Sequence, residues 1–290
     1  MIPISILINR WFVKNKGLAL SICTSASGMA TLVIPQLIVK LEAAYGLRNA
    51  FLATGTLVLV ISVIGLLLIR NSPKAGIVQT DNEAGQTSGS SAMPTRKTLS
   101  KAQNTAMVIA LAFIGIATGC VIQFSSLHLT SSGFSLEQAA SIVAAAGVTL
   151  TISKFLYGIV VDKFGAYKTN YFYIFGSAIG VGLCCLASLG NFSLIFGAMV
   201  VVGFCSPFVS VGLPLWVADL YPTEKYATSL KNLTLAGQVG TLLFSVVPGI
   251  IADKTGGYTI SYAIFAFMLL AAGVIVQSVY IKNNRGNKSH

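Results

Sequence analysis

The stretch that decides the fold is residues 103–127, QNTAMVIALAFIGIATGCVIQFSSL, which contains no charged side chain. The hydrocarbon core of a bilayer is about 30 Å thick and is crossed by about 20 consecutive apolar residues in a helix. Backbone polar groups in lipid must be satisfied internally, so irregular chain cannot face the membrane. The stretch therefore predicts a transmembrane α-helix.

The rest of the chain has the same character. It is 54% hydrophobic and 9% charged, with a mean hydropathy of +0.79, whereas a soluble domain carries about 25% charged residues. The sequence predicts an all-α polytopic membrane protein. We predict eight spans, near residues 17–39, 49–69, 103–127, 138–161, 169–189, 192–217, 231–252 and 259–281.

The net charge of +11 is distributed unevenly between the two sides of the predicted spans. Of the lysines and arginines outside the spans, 15 fall on one side, and only Lys40, Arg48 and Lys254 fall on the other. By the positive-inside rule, this predicts a multi-pass cell-membrane protein with both termini in the cytoplasm. No basic segment is interleaved with base-stacking aromatic residues, so we predict no nucleic-acid partner.

The composition divides the chain into three segments. Residues 1–70 hold two spans, residues 71–101 form a cytoplasmic linker rich in Gly, Ser, Thr and charge, and residues 102–290 hold a six-helix bundle. Such composition is typical of flexible linkers.

The bundle contains an internal repeat. Gly158-Ile-Val-Val-Asp-Lys-Phe-Gly165 recurs 91 residues later as Gly249-Ile-Ile-Ala-Asp-Lys-Thr-Gly256. The two copies end helices on opposite sides of the membrane, which predicts an inverted pair of three-helix units. Many secondary transporters build a midplane site between inverted repeats. A chance recurrence is the alternative, because Gly and Asp often end helices.

Lys154 is the one charged residue in the interior of a predicted span, since Lys231 stands at the first position of its own span. It lies on one helix face with Gly147, Thr151, Gly158 and Asp162, since these residues are three or four positions apart. An ammonium facing lipid at mid-depth costs about 3 kcal/mol on insertion scales, so the face should point into the bundle or a wet cavity. A desolvated lysine there would bind an anion and could exchange a proton. The alternative is a side chain that snorkels to the interface.

Further polar residues within the spans are candidates to line an anion site. The seventh span carries Thr234, Gln238 and Thr241 at helical spacing, and the third span carries Gln123. Hydroxyls and amides can hydrogen-bond a carboxylate, but they also join helices in membranes. Pro207 in the sixth span predicts a bend.

Gating candidates lie where helices end. The repeat supplies Gly158, Asp162, Lys163 and Gly165, and Asp219 closes the sixth span. A carboxylate at such a position could pair with a neighbouring helix N-terminus and hold the inner side shut. A plain surface-loop aspartate is the alternative for both acids.

Three motifs resemble the major facilitator superfamily of transporters. The Gly158–Gly165 motif is similar to its cytoplasmic loop signature. Residues 9–19, NRWFVKNKGLA, resemble the stretch before helix five of the monocarboxylate and oxalate/formate branches. Residues 44–51, AYGLRNAF, resemble their Gly-Trp-Arg opening of helix six, with Leu47 in place of tryptophan.

The resemblance implies that the eight spans correspond to helices five to twelve of a twelve-helix carrier, with the first four absent. It also implies that Lys154 stands where the branch carries a basic residue, usually arginine, that engages the carboxylate substrate. Leu150 stands where monocarboxylate carriers often have an aspartate, and Gln238 stands near a lysine of oxalate exchangers. One cation suits a monoanion better than a dianion.

Two hypotheses follow. The first is a secondary transporter of a small organic anion, a monocarboxylate, by alternating access, with a co-transported proton as a candidate partner and lipid as its surroundings. The second is a truncated, non-transporting fragment of such a carrier. The spans contain no nucleophile, paired carboxylates or metal cluster at membrane depth, so we expect no enzyme, cofactor or metal.

Overall fold

The structure is a computed structural model that describes residues 4–5, 7–8, 17–25, 41, 44–68 and 99–288. Residues 17–25 are helical and are called the N-terminal helix below. Nine further helices follow: α1 Leu47–Leu68, α2 Lys101–Ser131, α3 Leu136–Phe164, α4 Ala166–Cys184, α5 Phe192–Cys205, α6 Gly212–Leu220, α7 Tyr226–Phe244, α8 Val247–Thr255 and α9 Thr259–Lys288.

The described helices confirm seven of the eight predicted spans. They are long and apolar enough to cross a membrane at Leu47–Leu67, Lys101–Ser131, Leu136–Phe164, Ala166–Leu189, Phe192–Leu220, Tyr226–Thr255 and Thr259–Asn283. Only residues 17–25 of the first predicted span, and few residues of the predicted linker, lie within the described chain.

Two spans are broken rather than continuous. The span from Phe192 to Leu220 consists of α5, a short 3-10 turn at Pro207–Val209, and α6. This confirms the bend predicted at Pro207, whose ring cannot continue a helix hydrogen-bond ladder. The span from Tyr226 to Thr255 breaks between α7 and α8, next to Pro248, whereas its hydropathy pattern predicts one continuous helix.

Local sequence explains where several helices begin and end. Ser100 and Ser135 each form a capping box, with Gln103 and Gln138 as their partners, at the start of α2 and α3. Gly165 and Gly256 end α3 and α8 with φ angles of 79° and 78°. Residues that carry a side chain rarely adopt such φ values, so glycine suits both positions. Both copies of the repeat therefore end their helices at a glycine with positive φ, whereas ψ is 156° at Gly165 and 7° at Gly256.

Helix packing in the bundle is symmetric between its two halves. α2, from the first three-helix unit, packs against α7 and α9 of the second, and α5, from the second unit, packs against α3 and α4 of the first. Exchanging α2, α3 and α4 for α5, α7 and α9 converts one set of contacts into the other. The packing agrees with the three-helix units that the repeat predicts.

The two matching interfaces also use the same chemistry. A Cβ added to Gly115 of α2 would lie 2.3 Å from the carbonyl oxygen of Gly237 on α7, and Thr241 donates a 2.7 Å hydrogen bond to the Gly115 carbonyl. A Cβ at Gly203 of α5 would lie 2.2 Å from the Ala146 carbonyl oxygen on α3, beside Thr149. Small residues permit this close approach of helices in membranes.

A buried polar cluster connects α3, α4 and α6 at the end of the bundle near Gly165. Trp216 Nε1 donates to Asn170 Oδ1 at 2.7 Å, and Tyr157 Oη donates to the same oxygen at 2.9 Å. All three side chains are fully buried. A buried amide oxygen without donors would be destabilising, so the cluster fixes the register of the three helices.

We expect Trp216→Phe to lower the free energy of unfolding by about 2 kcal/mol, because it removes one buried donor and some packed volume. Thermal unfolding in detergent measures the change. Phe172→Leu is the matched control, because Phe172 lies on α4 with 59% of its surface exposed. Equal midpoints for the two variants would contradict the assigned role of the cluster.

Burial differs sharply among the spans. In the apolar part of each span, 17% of the residues are buried in the α3 span and 11% in the α7–α8 span. The buried share is 39–50% in the other four spans of the bundle. The α1 span is 6% buried. The two least buried spans of the bundle are the ones that carry the polar stripes. These are the face of α3 with Thr151, Lys154 and Asp162 and the face of α7 with Thr234, Gln238 and Thr241.

Candidate functional site

The polar stripe of α3 lies partly against the N-terminal helix. Gly158 is buried there, whereas Thr151 and Lys154 are half-buried and Asp162 is exposed. Thr151 Oγ1 donates to the Gly147 carbonyl at 2.9 Å, within its own helix. Because residues four apart share a helix face, Lys154 lies on the side of α3 that faces the N-terminal helix.

Gly158 is the point of closest approach between these helices. A Cβ at position 158 would lie 1.9 Å from Ser21 Oγ and 2.1 Å from the Gly17 carbonyl oxygen. In the reverse direction, a Cβ at Gly17 would lie 2.6 Å from the Gly158 carbonyl oxygen. The contact between the two helices is made by backbone, and it requires glycine on both sides.

Asp162 accepts two backbone hydrogen bonds from the N-terminal helix. The Gly17 N–H donates to Oδ1 at 3.3 Å and the Leu18 N–H donates to Oδ2 at 3.1 Å. A carboxylate can accept hydrogen bonds at both of its oxygens. The Asp162 side chain therefore joins the last turn of α3 to the described residues 17–25.

We expect Asp162→Ala to raise amide hydrogen exchange at Gly17 and Leu18 about tenfold, because two charge-assisted hydrogen bonds are lost. Mass spectrometry of the peptide that contains these amides measures it. Asp253→Ala is the matched control, since Asp253 holds the corresponding place in the second copy of the repeat and its side chain is exposed. Faster exchange in both variants would indicate a general loss of stability instead.

The other gating candidates occupy different surroundings. Lys163 Nζ lies 5.4 Å from the centre of the Phe164 ring, and Gly165 forms the turn into α4. Asp219 is half-buried in the last turn of α6. Among the five gating candidates, only Gly158 and Asp162 have described contacts with the N-terminal helix.

The remaining substrate-binding candidates lie on α2 and α7. Gln123 and Gln238 are exposed, and Thr234 is half-buried with its hydroxyl donating to the Leu230 carbonyl at 2.7 Å. α7 packs chiefly on α2, whereas α3 packs chiefly on α5. The five candidates thus divide into Lys154 and Thr151 on one packed pair of helices and Gln123, Thr234 and Gln238 on the other. Thr241, from the same stripe on α7, packs against α2.

The residues of the N-terminal helix that contact α3 were not predicted from the sequence. Gly17 and Leu18 belong to the motif at residues 9–19, but neither they nor Ser21 were predicted to meet Gly158 and Asp162. A signal was present, because Gly17 and Ser21 are small residues four positions apart, a spacing typical of close helix contacts in membranes.

Known proteins resemble this chain over nearly its whole length. The sequence profile of the Major Facilitator Superfamily matches residues 1–231 and 107–290. The chain belongs to this superfamily. It is accordingly a multi-pass membrane protein of a superfamily of transporters, which are not enzymes.

Individual relatives have a low sequence identity to this chain. Monocarboxylate transporter 12-B of Danio rerio is 26% identical over 306 residues, covering 96% of this chain and 64% of its own length. The 4-hydroxybenzoate transporter PcaK of Pseudomonas aeruginosa is 31% identical over 117 residues, covering 40% of this chain and 25% of its own. The chain thus spans a little under two thirds of the length of Monocarboxylate transporter 12-B.

A solved structure supports the fold. The E. coli fucose:proton symporter FucP, solved as a point variant, superimposes with a TM-score of 0.58 at 11% identity. The similarity covers 91% of this chain and 69% of that one. The all-α major facilitator fold predicted from the sequence is confirmed.

Proposed function

We propose that the protein is a secondary active transporter of a small organic anion, in the first place a monocarboxylate, and that it works by alternating access. The observation that carries the proposal is the shared face of α3. Gly158 and Asp162 meet the N-terminal helix, and Lys154 lies one turn further into the membrane on the same face. An ammonium in this position offers a carboxylate its charge partner between two parts of the chain.

The proposed roles follow from these positions. Lys154 binds the anion, with Thr151 beside it, while Gln123, Thr234 and Gln238 line the opposite side of the path. Gly158 and Asp162 close the path at one end, and Lys163, Gly165 and Asp219 act at the same end. One intramembrane cation favours a monoanion over a dianion. The names of two relatives, a monocarboxylate and a 4-hydroxybenzoate transporter, support the same substrate class.

The uneven charge distribution supports a proposed orientation in the cell membrane, with both termini and the 71–101 linker in the cytoplasm. Under this proposal the Asp162 contact is the inner gate, and residues 1–70 and 102–290 form the two parts that move. A proton is the proposed coupling ion, for which the proton-symporter neighbour gives the precedent.

Flux of labelled lactate into proteoliposomes that contain the purified 290-residue chain tests the proposal. We expect saturable uptake that is inhibited by other monocarboxylates, is barely inhibited by oxalate, and rises with an inward proton gradient. Empty liposomes and the Lys154→Ala variant are the controls. The absence of saturable flux of any carboxylate would favour the rival proposal, a non-transporting fragment of a carrier.

A further inference from the structure

A cavity between α2 and α7 lies apart from the face of α3 discussed above. It has a volume of about 230 Å³ and lies between the first turns of α2 and α7. Its polar lining consists of Lys101, Asn104, Tyr221, Lys225, Ser229 and Asn232. At about 30 Å³ for each water molecule, this space equals seven or eight waters, which is roomy enough for an oxyanion.

The charged side chains that line this cavity are all positive. Lys101 and Lys225 contribute two ammonium groups from different helices, and the lining contains no acidic residue. Asn104, Ser229 and Asn232 add neutral groups that can donate hydrogen bonds. Leu99, Val108 and Leu233 close the apolar part of the lining. The cavity therefore offers several donors and two cations without a counter-ion from its own walls.

A buried tyrosine orients one of the donors. Tyr221 is 4% exposed, and its hydroxyl donates to Asn104 Oδ1 at 2.8 Å. Burial raises the pKa of Tyr221 to about 12, so the hydroxyl stays protonated and remains a donor. With its oxygen engaged, Asn104 has its NH₂ group left to donate to a ligand.

The position of the cavity relative to the membrane indicates which class of ligand it can bind. Lys101 is the first residue of one membrane span, and Lys225 immediately precedes another. The cavity thus lies at the boundary of the apolar segments, at the level of lipid phosphates. Basic pockets between transmembrane helices are known to hold anionic head groups.

We propose that this cavity binds the phosphate group of an anionic ligand through Lys101, Lys225 and Asn104. A tetrahedral phosphate presents more acceptor oxygens than a carboxylate, and it can satisfy donors that approach from two helices at once. Either an anionic lipid or free phosphate carries this group. The site shares α2 and α7 with the proposed substrate path but none of the residues assigned to that path, and its test does not depend on transport.

Two experiments with the purified chain distinguish the sources of phosphate. In neutral detergent, thermal unfolding is followed in potassium phosphate and in potassium chloride at equal ionic strength. In nanodiscs, it is followed in phosphatidylcholine alone and with one fifth phosphatidylglycerol. We expect the unfolding midpoint to rise by about 2–5 °C in at least one experiment, because a ligand that binds only the folded state stabilises it.

Variants assign the effect to the cavity. Lys101→Gln/Lys225→Gln should weaken the apparent affinity for the stabilising ligand about tenfold or more. Lys168→Gln/Lys282→Gln is the matched control, since it removes two exposed lysines outside the cavity, and it should retain the affinity within about twofold. Lys101→Arg/Lys225→Arg keeps the charge and should restore most of the binding.

Each outcome decides the proposal. Stabilisation only in phosphatidylglycerol nanodiscs identifies the ligand as a lipid head group, and stabilisation only by free phosphate identifies a soluble phosphate compound. No stabilisation in either experiment overturns the proposal, as does an equal loss in the control double variant. If the Lys→Gln pair does not fold, competition of sulfate with the stabilising ligand in the unmodified chain replaces it, and competition no stronger than that of chloride would refute the site.

Discussion

Adding a single methyl group at Gly158 is expected to break the contact between α3 and the N-terminal helix. The Cβ of Gly158→Ala would lie 1.9 Å from Ser21 Oγ and 2.1 Å from the Gly17 carbonyl oxygen. The serine hydroxyl can rotate away, but the carbonyl belongs to a helix backbone and cannot. The helices would therefore have to separate by about 1 Å, which removes their dispersion contacts and stretches the hydrogen bonds to Asp162.

Hydrogen exchange of the peptide that contains residues 17–25 measures this effect. We expect its amides to lose protection in Gly158→Ala, and we expect lactate flux to fall at least about tenfold if the contact closes the proposed gate. Gly147→Ala is the matched control on the same face of α3, because a Cβ there meets nothing within 4 Å. Unchanged exchange in Gly158→Ala would show that the contact is not populated in the membrane.

Replacing Lys154 with alanine is expected to abolish carboxylate uptake. Hydrogen bonds to charged groups contribute about 1.5–3 kcal/mol each, so losing the cation should slow uptake by about one to two orders of magnitude. Insertion should be unaffected or improved, because an intramembrane ammonium disfavours insertion by about 3 kcal/mol. Lys154→Arg should retain part of the activity, since it keeps the charge.

Initial rates in proteoliposomes, normalised to the amount of inserted protein, measure this loss. Lys168→Gln is the control, because it removes an exposed lysine near the start of α4. Uptake by Lys154→Ala at the rate of the unmodified chain would remove Lys154 from the site. It would leave the snorkelling lysine as the better interpretation.

The sequence predicted the spans well because hydropathy reports directly on what a bilayer requires of a helix. It predicted the α7–α8 span as one helix because a hydropathy average is insensitive to backbone geometry. The same average hides the difference between α2, whose span is 50% buried, and α3, whose span is 17% buried. Lipid and protein interior are equally apolar, so composition does not separate the two surroundings.

The candidate site was predicted only in part. Spacing alone correctly joined Gly158 and Asp162 on one face of α3, since helical periodicity is local. Their partners at Gly17 and Leu18 are about 145 residues away in the chain, and no local pattern encodes that pairing. Thr241 had the spacing of a lining residue, yet its hydroxyl bonds to the Gly115 carbonyl on α2. Whether a polar residue lines a path or joins two helices depends on its tertiary neighbours.

The paired glycines at positions 17 and 158 also limit how this sequence can diverge. Every other amino acid carries a Cβ, and the two backbones leave no room for one on either side. Neither position can change first and be rescued by the other, because neither has a side chain to shrink. In the lineage of this protein, both glycines should therefore persist together, while Gly147 on the same helix face is free to drift.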